Sequence, residues 1–206
     1  MRFSVAILCA FAVLSACRRE PPEGIDDLGV VPAWSMTAED GKPIGSVQLH
    51  GKVWVVNFLF TSCPTSCPPL ARATAQLQER IRALAPKGEP PIAQIVSISV
   101  DPETDTPDVL AKFAKQYGAD PRIWHFATSG NYDATEKLVS EGFQSQLIRP
   151  NPPEGADPQA KPSAIDTAHS LKFVVIDRAG HIRGTWDKDE AGLNDTVAAV
   201  RYLADL

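Results

Sequence analysis

Two kinds of hydrophobic pattern follow one another along this chain. In the first, β-branched and aromatic residues stand side by side, which is typical of buried strands. This pattern predicts strands over residues 53–60, 92–100, 122–127, 171–176 and 181–186. In the second, apolar residues return every three or four positions, which is typical of amphipathic helices. It predicts helices over residues 66–84, 107–117, 132–140 and 192–206.

The order of these elements predicts the fold class. Residues 31–37 and 44–49 flank Asp40-Gly41, a dipeptide typical of tight turns, and so predict an N-terminal β-hairpin. Residues 53–60 are almost continuously apolar, as expected of a central strand buried on both faces. Strands that alternate with helices and end in a β-hairpin plus a helix predict an α/β fold, with a central mixed sheet flanked by helices.

The N-terminus predicts an export signal. Arg2 precedes an apolar stretch over residues 3–14, which is too short to span a bilayer comfortably. The sequence LSAC that ends at Cys17 resembles the bacterial lipoprotein processing box, which implies cleavage before Cys17 and lipid attachment to it; an ordinary signal peptide is the alternative. We therefore expect a signal over residues 1–16, a tether over 17–30 and a folded domain over 31–206. The predicted location is the bacterial cell envelope, lipid-anchored in the cytoplasmic (inner) membrane and facing the periplasm.

Composition narrows the class of partner. The chain has 206 residues, of which 44% are hydrophobic and 22% charged, which fits one globular domain with a substantial core. The formal net charge is −5 and no long basic run occurs, so a nucleic acid is not expected as a partner.

Two cysteines carry the candidate chemistry. Cys9 leaves with the signal and Cys17 is the predicted lipidation site, so the mature chain keeps only Cys63 and Cys67 as thiols. They lie in FTSCPTSCPP, residues 60–69, directly after the predicted central strand. If the helix begins near Cys63, both sulfurs point to one side at its N-terminus, where free N–H groups stabilise thiolates.

The spacing of the thiols permits two kinds of chemistry. One helical turn places the Cα atoms roughly 6 Å apart, a distance that a disulfide tolerates and that also suits chelation. Outside the cytoplasm, a Cys63–Cys67 disulfide is expected unless a reductase or a metal intervenes.

His169 is the predicted third member of the site. Thiols after a central strand, with an antiparallel hairpin at the sheet edge, fit a thioredoxin-like fold. There the loop before the penultimate strand faces the thiol loop, and residues 171–176 are that strand, so we expect His169 near Cys63 and Cys67. Two thiolates and an imidazole form a soft ligand set that suits Cu(I) and also binds zinc. Metal binding and thiol redox chemistry are both open at this point.

Other polar residues have simpler interpretations. His50, His125 and His181 are interpreted as structural or exposed residues. Asp101 and Asp105 surround the predicted helix start at Thr106-Pro107 and are interpreted as turn and capping residues, with a contribution to the metal surroundings or to partner docking as the minor alternative.

Three stretches, in this order, make the chain resemble the Sco/SenC family. They are VNFLFTSCPTSCP at 56–68, SVDPETDTP at 99–107, and FVVIDRAG at 173–180 after His169. This family consists of membrane-tethered copper-binding proteins needed to assemble cytochrome c oxidase. The resemblance implies that Cys63, Cys67 and His169 are copper ligands, for Cu(I) and Cu(II).

The chain also departs from related patterns. Many Sco/SenC members carry an acidic residue inside the thiol loop and an Asp directly before the histidine, where this chain has Thr65 and Ala168; Asp166 lies three residues before His169. Thioredoxin-type oxidoreductases have two residues between their cysteines and a proline before the penultimate strand, and this chain has neither. Peroxiredoxins carry a threonine three residues before the reactive cysteine, where this chain has Phe60 or Pro64.

Two functions are therefore carried forward. The first is a copper metallochaperone whose partner is the copper-centre subunit of cytochrome c oxidase, with other periplasmic copper chaperones or thiol reductases as further partners. The second is a thiol–disulfide oxidoreductase that reduces the cysteines of the oxidase copper site, with Cys63 and Cys67 as its catalytic redox pair. A copper or redox sensor is a third alternative.

The long segment over residues 142–168, with five prolines, is expected to be an irregular functional loop that leads into His169.

Overall fold

The protein folds around one mixed sheet of seven strands. The computed structural model describes residues 20–145 and 171–206. The strands are β1 (Ser35–Ala38), β2 (Pro43–Gly45), β3 (Val53–Leu59), β4 (Ala93–Ser99), β5 (Trp124–Thr128), β6 (Lys172–Ile176) and β7 (Ile182–Asp187). The helices are α1 (Ser46–Leu49), α2 (Cys67–Leu84), α3 (Pro107–Gln116), α4 (Tyr132–Lys137) with a π-helical turn (Leu138–Gly142), and α5 (Glu190–Ala204). The strand order is β2-β1-β5-β4-β3-β6-β7.

Strand β3 forms the centre of the sheet and leads into the thiol loop. It runs parallel to β4 and antiparallel to β6, and all seven of its residues are buried. Val56 pairs with Val174, so Lys172 at the start of β6 lies level with Phe58, near the end of β3. The ends of β3 and β4 and the start of β6 therefore meet at one edge of the sheet. The predicted α/β thioredoxin-like fold is confirmed.

The N-terminal hairpin is present, but its second strand is shorter than predicted. Strands β1 and β2 pair antiparallel around the Asp40-Gly41 turn. Residues 44–49 do not continue as a strand, because the chain turns at Gly45 into the short helix α1. The hydroxyl of Ser46 accepts a hydrogen bond from the backbone N–H of Trp34 at 3.0 Å. A Cβ on Gly45 would clash with the carbonyl oxygen of Trp34. Hydrophobic pattern alone does not reveal this tight approach.

Two helices also differ in detail from the prediction. Helix α3 starts as expected, since Thr106 caps it by accepting the N–H of Val109. The apolar spacing places Val109, Phe113 and Tyr117 on its buried face. In the structure that face is formed by Leu110, Phe113 and Ala114, whereas Val109 and Tyr117 are only half-buried. The helix predicted over 132–140 ends its α-helical part at Lys137 and continues as the π-helical turn.

The folded body begins earlier than the predicted domain boundary at residue 31. The N–H groups of Asp26 and Leu28 donate to carbonyl oxygens of Arg183 and Ile182 on β7, and the N–H of Ile182 donates to Gly29. This segment covers the outer edge of β7, which would otherwise expose unpaired backbone groups. Residues 26–30, predicted as tether, are thus hydrogen-bonded to the sheet. Cys17 and the signal segment lie outside the described residues.

Candidate functional site

The thiol loop connects β3 to α2 over residues 60–66. Helix α2 begins at Cys67, within one residue of the predicted start at Ser66. Cys63 therefore lies in the loop before the helix, and the condition that the helix begins near Cys63 is not met. Pro68 and Pro69 occupy the next two helical positions and have no N–H, which suits the start of a helix. The N–H of Cys67 is therefore the one backbone donor that these first three residues offer, and it donates to Cys63 Sγ at 3.2 Å.

The two sulfurs differ in their surroundings. Cys63 is 7% exposed, whereas Cys67 is fully buried beneath the loop. Cys63 Sγ also lies 3.2 Å from the hydroxyl oxygen of Ser66, which donates its proton when the sulfur is a thiolate. Both cysteines are in the reduced form in the structure, and the disulfide between them stays a prediction.

These surroundings push the acidities of the two thiols apart. Burial alone would raise the pKa of Cys63, but hydrogen bonds from Ser66, from the Cys67 thiol and from the backbone of Cys67 and Thr65 lower it to about 7. Burial raises the pKa of Cys67 to about 12, and the neighbouring Cys63 sulfur adds to that rise. Cys63 is therefore the cysteine that ionises near neutral pH, whereas Cys67 stays a thiol.

This asymmetry gives a testable reactivity. In the reduced protein, iodoacetamide should modify Cys63 far faster than Cys67 at pH 7, and the rate at Cys63 should rise as pH increases through about 7. Ser66→Ala should shift this profile to higher pH, because it removes one of the hydrogen bonds that stabilise the thiolate. Mass spectrometry of peptides after timed alkylation measures both. Equal rates at the two cysteines would contradict the assignment.

A buried carboxyl group fixes the start of the loop. Asp105 accepts hydrogen bonds from the backbone N–H of Thr61 at 3.1 Å and from its hydroxyl at 2.5 Å. It also accepts a hydrogen bond from the hydroxyl of Ser99 at 2.6 Å, and it has no exposed surface. The sequence interpretation of Asp105 as a turn residue missed this contact, because the pairing spans 44 positions.

The histidine of the predicted ligand set, His169, lies outside the described residues, as do Asp166 and Ala168. Three other histidines are described. The Nδ1 atom of His125 lies 3.5 Å from Glu39 Oε1, and the Nδ1 atom of His181 lies 3.0 Å from Asp27 Oδ1. His50 is exposed. Within residues 20–145 and 171–206, no group of three or more His, Cys, Asp or Glu side chains is arranged to hold a metal ion. The ligand set of Cys63, Cys67 and His169 stays a prediction.

Comparison with known proteins places the chain in a family. The SCO1/SenC family model matches residues 23–204, which is nearly the whole described fold. The chain belongs to the SCO1/SenC family. The SCO1 protein homolog of Bacillus subtilis is 31% identical over 158 residues, which cover 77% of this chain and 72% of that protein.

Solved structures agree with this membership. BsSco, a member of the Sco family of cytochrome c oxidase assembly proteins, superposes with a TM-score of 0.72 at 26% identity, covering 91% of this chain and 99% of that one. ScoI of Bradyrhizobium japonicum, solved with copper bound, has a TM-score of 0.65 at 20% identity, covering 85% and 100%. The second comparison supports the fold of this SCO1/SenC chain.

Membrane association was predicted from the N-terminal segment alone. Among the helices of residues 20–145 and 171–206, none is both long and apolar enough to cross a membrane. The predicted lipid attachment at Cys17 in this SCO1/SenC protein stays a prediction.

Proposed function

We propose that this SCO1/SenC protein is a copper metallochaperone that delivers copper to the copper-centre subunit of cytochrome c oxidase. The observation that carries the proposal is the pair of thiols at the start of α2. Cys63 Sγ accepts the first N–H of the helix, and Cys67 is buried directly behind it. Thiolate sulfur is the ligand type that Cu(I) prefers, and a helix N-terminus stabilises the negative charge that metal binding requires.

The topology supports His169 as the third ligand. Strand β6 starts level with Phe58, close to where β3 leads into the thiol loop. His169 precedes Lys172, the first residue of β6, by three positions. The start of β6 thus lies at the edge of the sheet that carries the thiol loop, which favours a third ligand from the residues just before β6. Imidazole nitrogen beside two sulfurs gives a three-coordinate site for Cu(I) that also accommodates Cu(II).

The same proposal covers location and partner. Lipid attachment at Cys17 would hold the folded domain at the periplasmic face of the cytoplasmic membrane. BsSco, which is 26% identical, belongs to a family of cytochrome c oxidase assembly proteins, and this favours the oxidase as the destination of the copper. The N–H of Asp26 is hydrogen-bonded to the sheet, so we infer that the link between lipid and domain is shorter than the predicted tether of residues 17–30.

Metal analysis of the reduced protein tests the proposal directly. The mature chain, purified without oxygen and incubated with one equivalent of Cu(I), should retain close to one copper per molecule after gel filtration. The same protein with its thiols alkylated should retain none, because the sulfurs are then blocked. Retention of zinc in preference to copper, or of no metal by the reduced chain, would contradict the proposal.

The second candidate is a thiol–disulfide oxidoreductase that reduces the oxidase cysteines. The split between the pKa of Cys63 near 7 and that of Cys67 near 12 favours it, since one thiolate attacks while the other thiol stays in reserve. His169 distinguishes the two functions. Dithiol exchange needs only the two cysteines, whereas copper transfer also needs the imidazole.

A further inference from the structure

The carboxyl group of Asp105 is buried at the base of the thiol loop. It accepts three hydrogen bonds, two from Thr61 and one from Ser99, and its side chain has no contact with solvent. No Lys or Arg of the described residues forms an ion pair with it. Burial raises the pKa of Asp105, and the hydrogen bonds from Ser99 and Thr61 offset only part of that rise.

Hydrogen bonds also hold the backbone of Asp105. Its own N–H donates to the carbonyl of Asp101 at 2.9 Å, and the N–H of Asp101 donates to the hydroxyl of Ser99 at 3.1 Å. Thr106 follows directly and caps helix α3. The carboxyl group therefore projects from a turn that is held by the end of β4 on one side and by a helix start on the other.

Thr61, the hydrogen-bond partner of Asp105 in the thiol loop, is two residues before Cys63. Asp105 accepts hydrogen bonds from both donors of Thr61, the backbone N–H and the hydroxyl. The far end of the loop is held by the Cys67 N–H that donates to Cys63 Sγ. The five residues from Ser62 to Ser66 thus span two fixed points, and Cys63 lies between them. Displacement of Thr61 would move the Cys63 sulfur relative to the helix N-terminus and to Cys67.

We propose that Asp105 is a positioning residue for the thiol pair: by holding Thr61, it keeps Cys63 in the geometry that binds copper and that sets the disulfide equilibrium. This proposal rests on the copper function above and adds the residue that controls the site. Asp105 itself does not contact the metal. It acts across the sheet edge, from the end of β4 to the loop after β3.

Two substitutions at Asp105 separate geometry from charge. Asp105→Ala removes all three hydrogen bonds to the loop and to Ser99. In Asp105→Asn, the amide oxygen can still accept from Thr61 N–H and Ser99, while the amide NH₂ can donate to the Thr61 hydroxyl oxygen, so the loop stays held. Thr61→Val provides a milder variant, since it loses the hydroxyl contact and keeps the N–H contact.

Asp177→Ala is the matched structural control. Asp177 also accepts several hydrogen bonds, from the N–H groups of Ala179 and His181 and from Arg183, and it shapes the turn between β6 and β7. That turn follows the end of β6 that lies level with Trp54, near the start of β3 and away from the thiol loop. Its loss should lower thermal stability without changing the thiol pair.

The first measurement is Cu(I) affinity by competition with bicinchoninate. We expect Asp105→Ala to bind Cu(I) about 10-fold more weakly, as is typical when a residue that supports a metal ligand is removed. Asp105→Asn should bind nearly as tightly as the unmodified protein, and Thr61→Val should lie between the two. Asp177→Ala should bind like the unmodified protein despite a lower melting temperature.

The second measurement needs no copper. Oxidised dithiothreitol takes two electrons and two protons from Cys63 and Cys67, which form their disulfide while dithiothreitol becomes the dithiol. The equilibrium constant for this exchange should shift in Asp105→Ala, to a smaller extent in Thr61→Val, and very little in Asp105→Asn or Asp177→Ala. If Asp105→Ala does not fold, Thr61→Val carries both measurements.

The outcomes are distinct. Unchanged affinity and unchanged exchange in Asp105→Ala, with only a lower melting temperature, would overturn the positioning role. Asp105→Asn behaving like Asp105→Ala would also overturn it, because charge and not geometry would then matter. If the unmodified protein bound no Cu(I), the proposed function would fail, whereas a shifted dithiothreitol equilibrium would still support the positioning role.

Discussion

Cys63→Ser and Cys67→Ser should each abolish stoichiometric copper binding. Serine has nearly the shape of cysteine, but its hydroxyl oxygen is a hard ligand that stays protonated at neutral pH, so it cannot replace a thiolate for Cu(I). A single remaining sulfur with one imidazole cannot supply the two soft ligands of the proposed site. Copper content after anaerobic loading and gel filtration measures the loss, and an unchanged copper content in either variant would contradict the ligand assignment.

Ser62→Ala is the matched control for the two cysteine variants. Ser62 is exposed, lies beside Cys63 in the same loop and should keep full copper binding when replaced. Thermal unfolding should accompany the measurement at Cys67, since a hydroxyl is more polar than a thiol and is costlier to bury at this fully buried position. The copper content is then determined on the folded fraction, so that loss of ligand is not confused with loss of fold.

The regular elements of the sheet could be predicted from the sequence because their signals are local. The apolar run of β3 and the three-to-four spacing of α2 each reflect one element's own burial. The start of α2 agrees with the predicted range to within one residue, but the spacing does not show that Cys63 stays in the loop before the helix. Prolines at positions 68 and 69 suit the first turn of a helix that starts at Cys67. Cys63 is then a loop residue whose sulfur accepts a hydrogen bond from the first N–H of the helix.

Contacts between distant parts of the chain could not be predicted in the same way. Asp105 meets Thr61 only because β3 and β4 run parallel and end at the same edge of the sheet. Asp26 and Leu28 meet β7 because an edge strand exposes donors and acceptors that the N-terminal segment can use. Neither contact leaves a periodic pattern in the sequence. We propose that Asp105 positions the thiols, but in the sequence it has only the pattern of an ordinary turn residue.

His169→Ala should separate copper binding from dithiol chemistry. Two thiolates alone can still hold Cu(I) in two-coordinate form, whereas Cu(II) prefers additional nitrogen ligands. We therefore expect this variant to lose most of its Cu(II) binding and to bind Cu(I) more weakly. Its dithiothreitol equilibrium should match that of the unmodified protein, because Cys63 and Cys67 keep their contacts with each other, with Ser66 and with helix α2.

Absorption and electron paramagnetic resonance spectra of the Cu(II)-loaded protein measure the loss of Cu(II) binding. His50→Ala provides the control, because the His50 imidazole is exposed and lies before the start of β3, at the end opposite to the thiol loop. Cu(II) spectra of His169→Ala that matched those of the unmodified protein would show that another residue completes the site. Loss of Cu(II) with a normal disulfide equilibrium would show that the imidazole serves the metal alone. The two thiols would then be sufficient for dithiol exchange, whereas copper binding would depend on His169 as well.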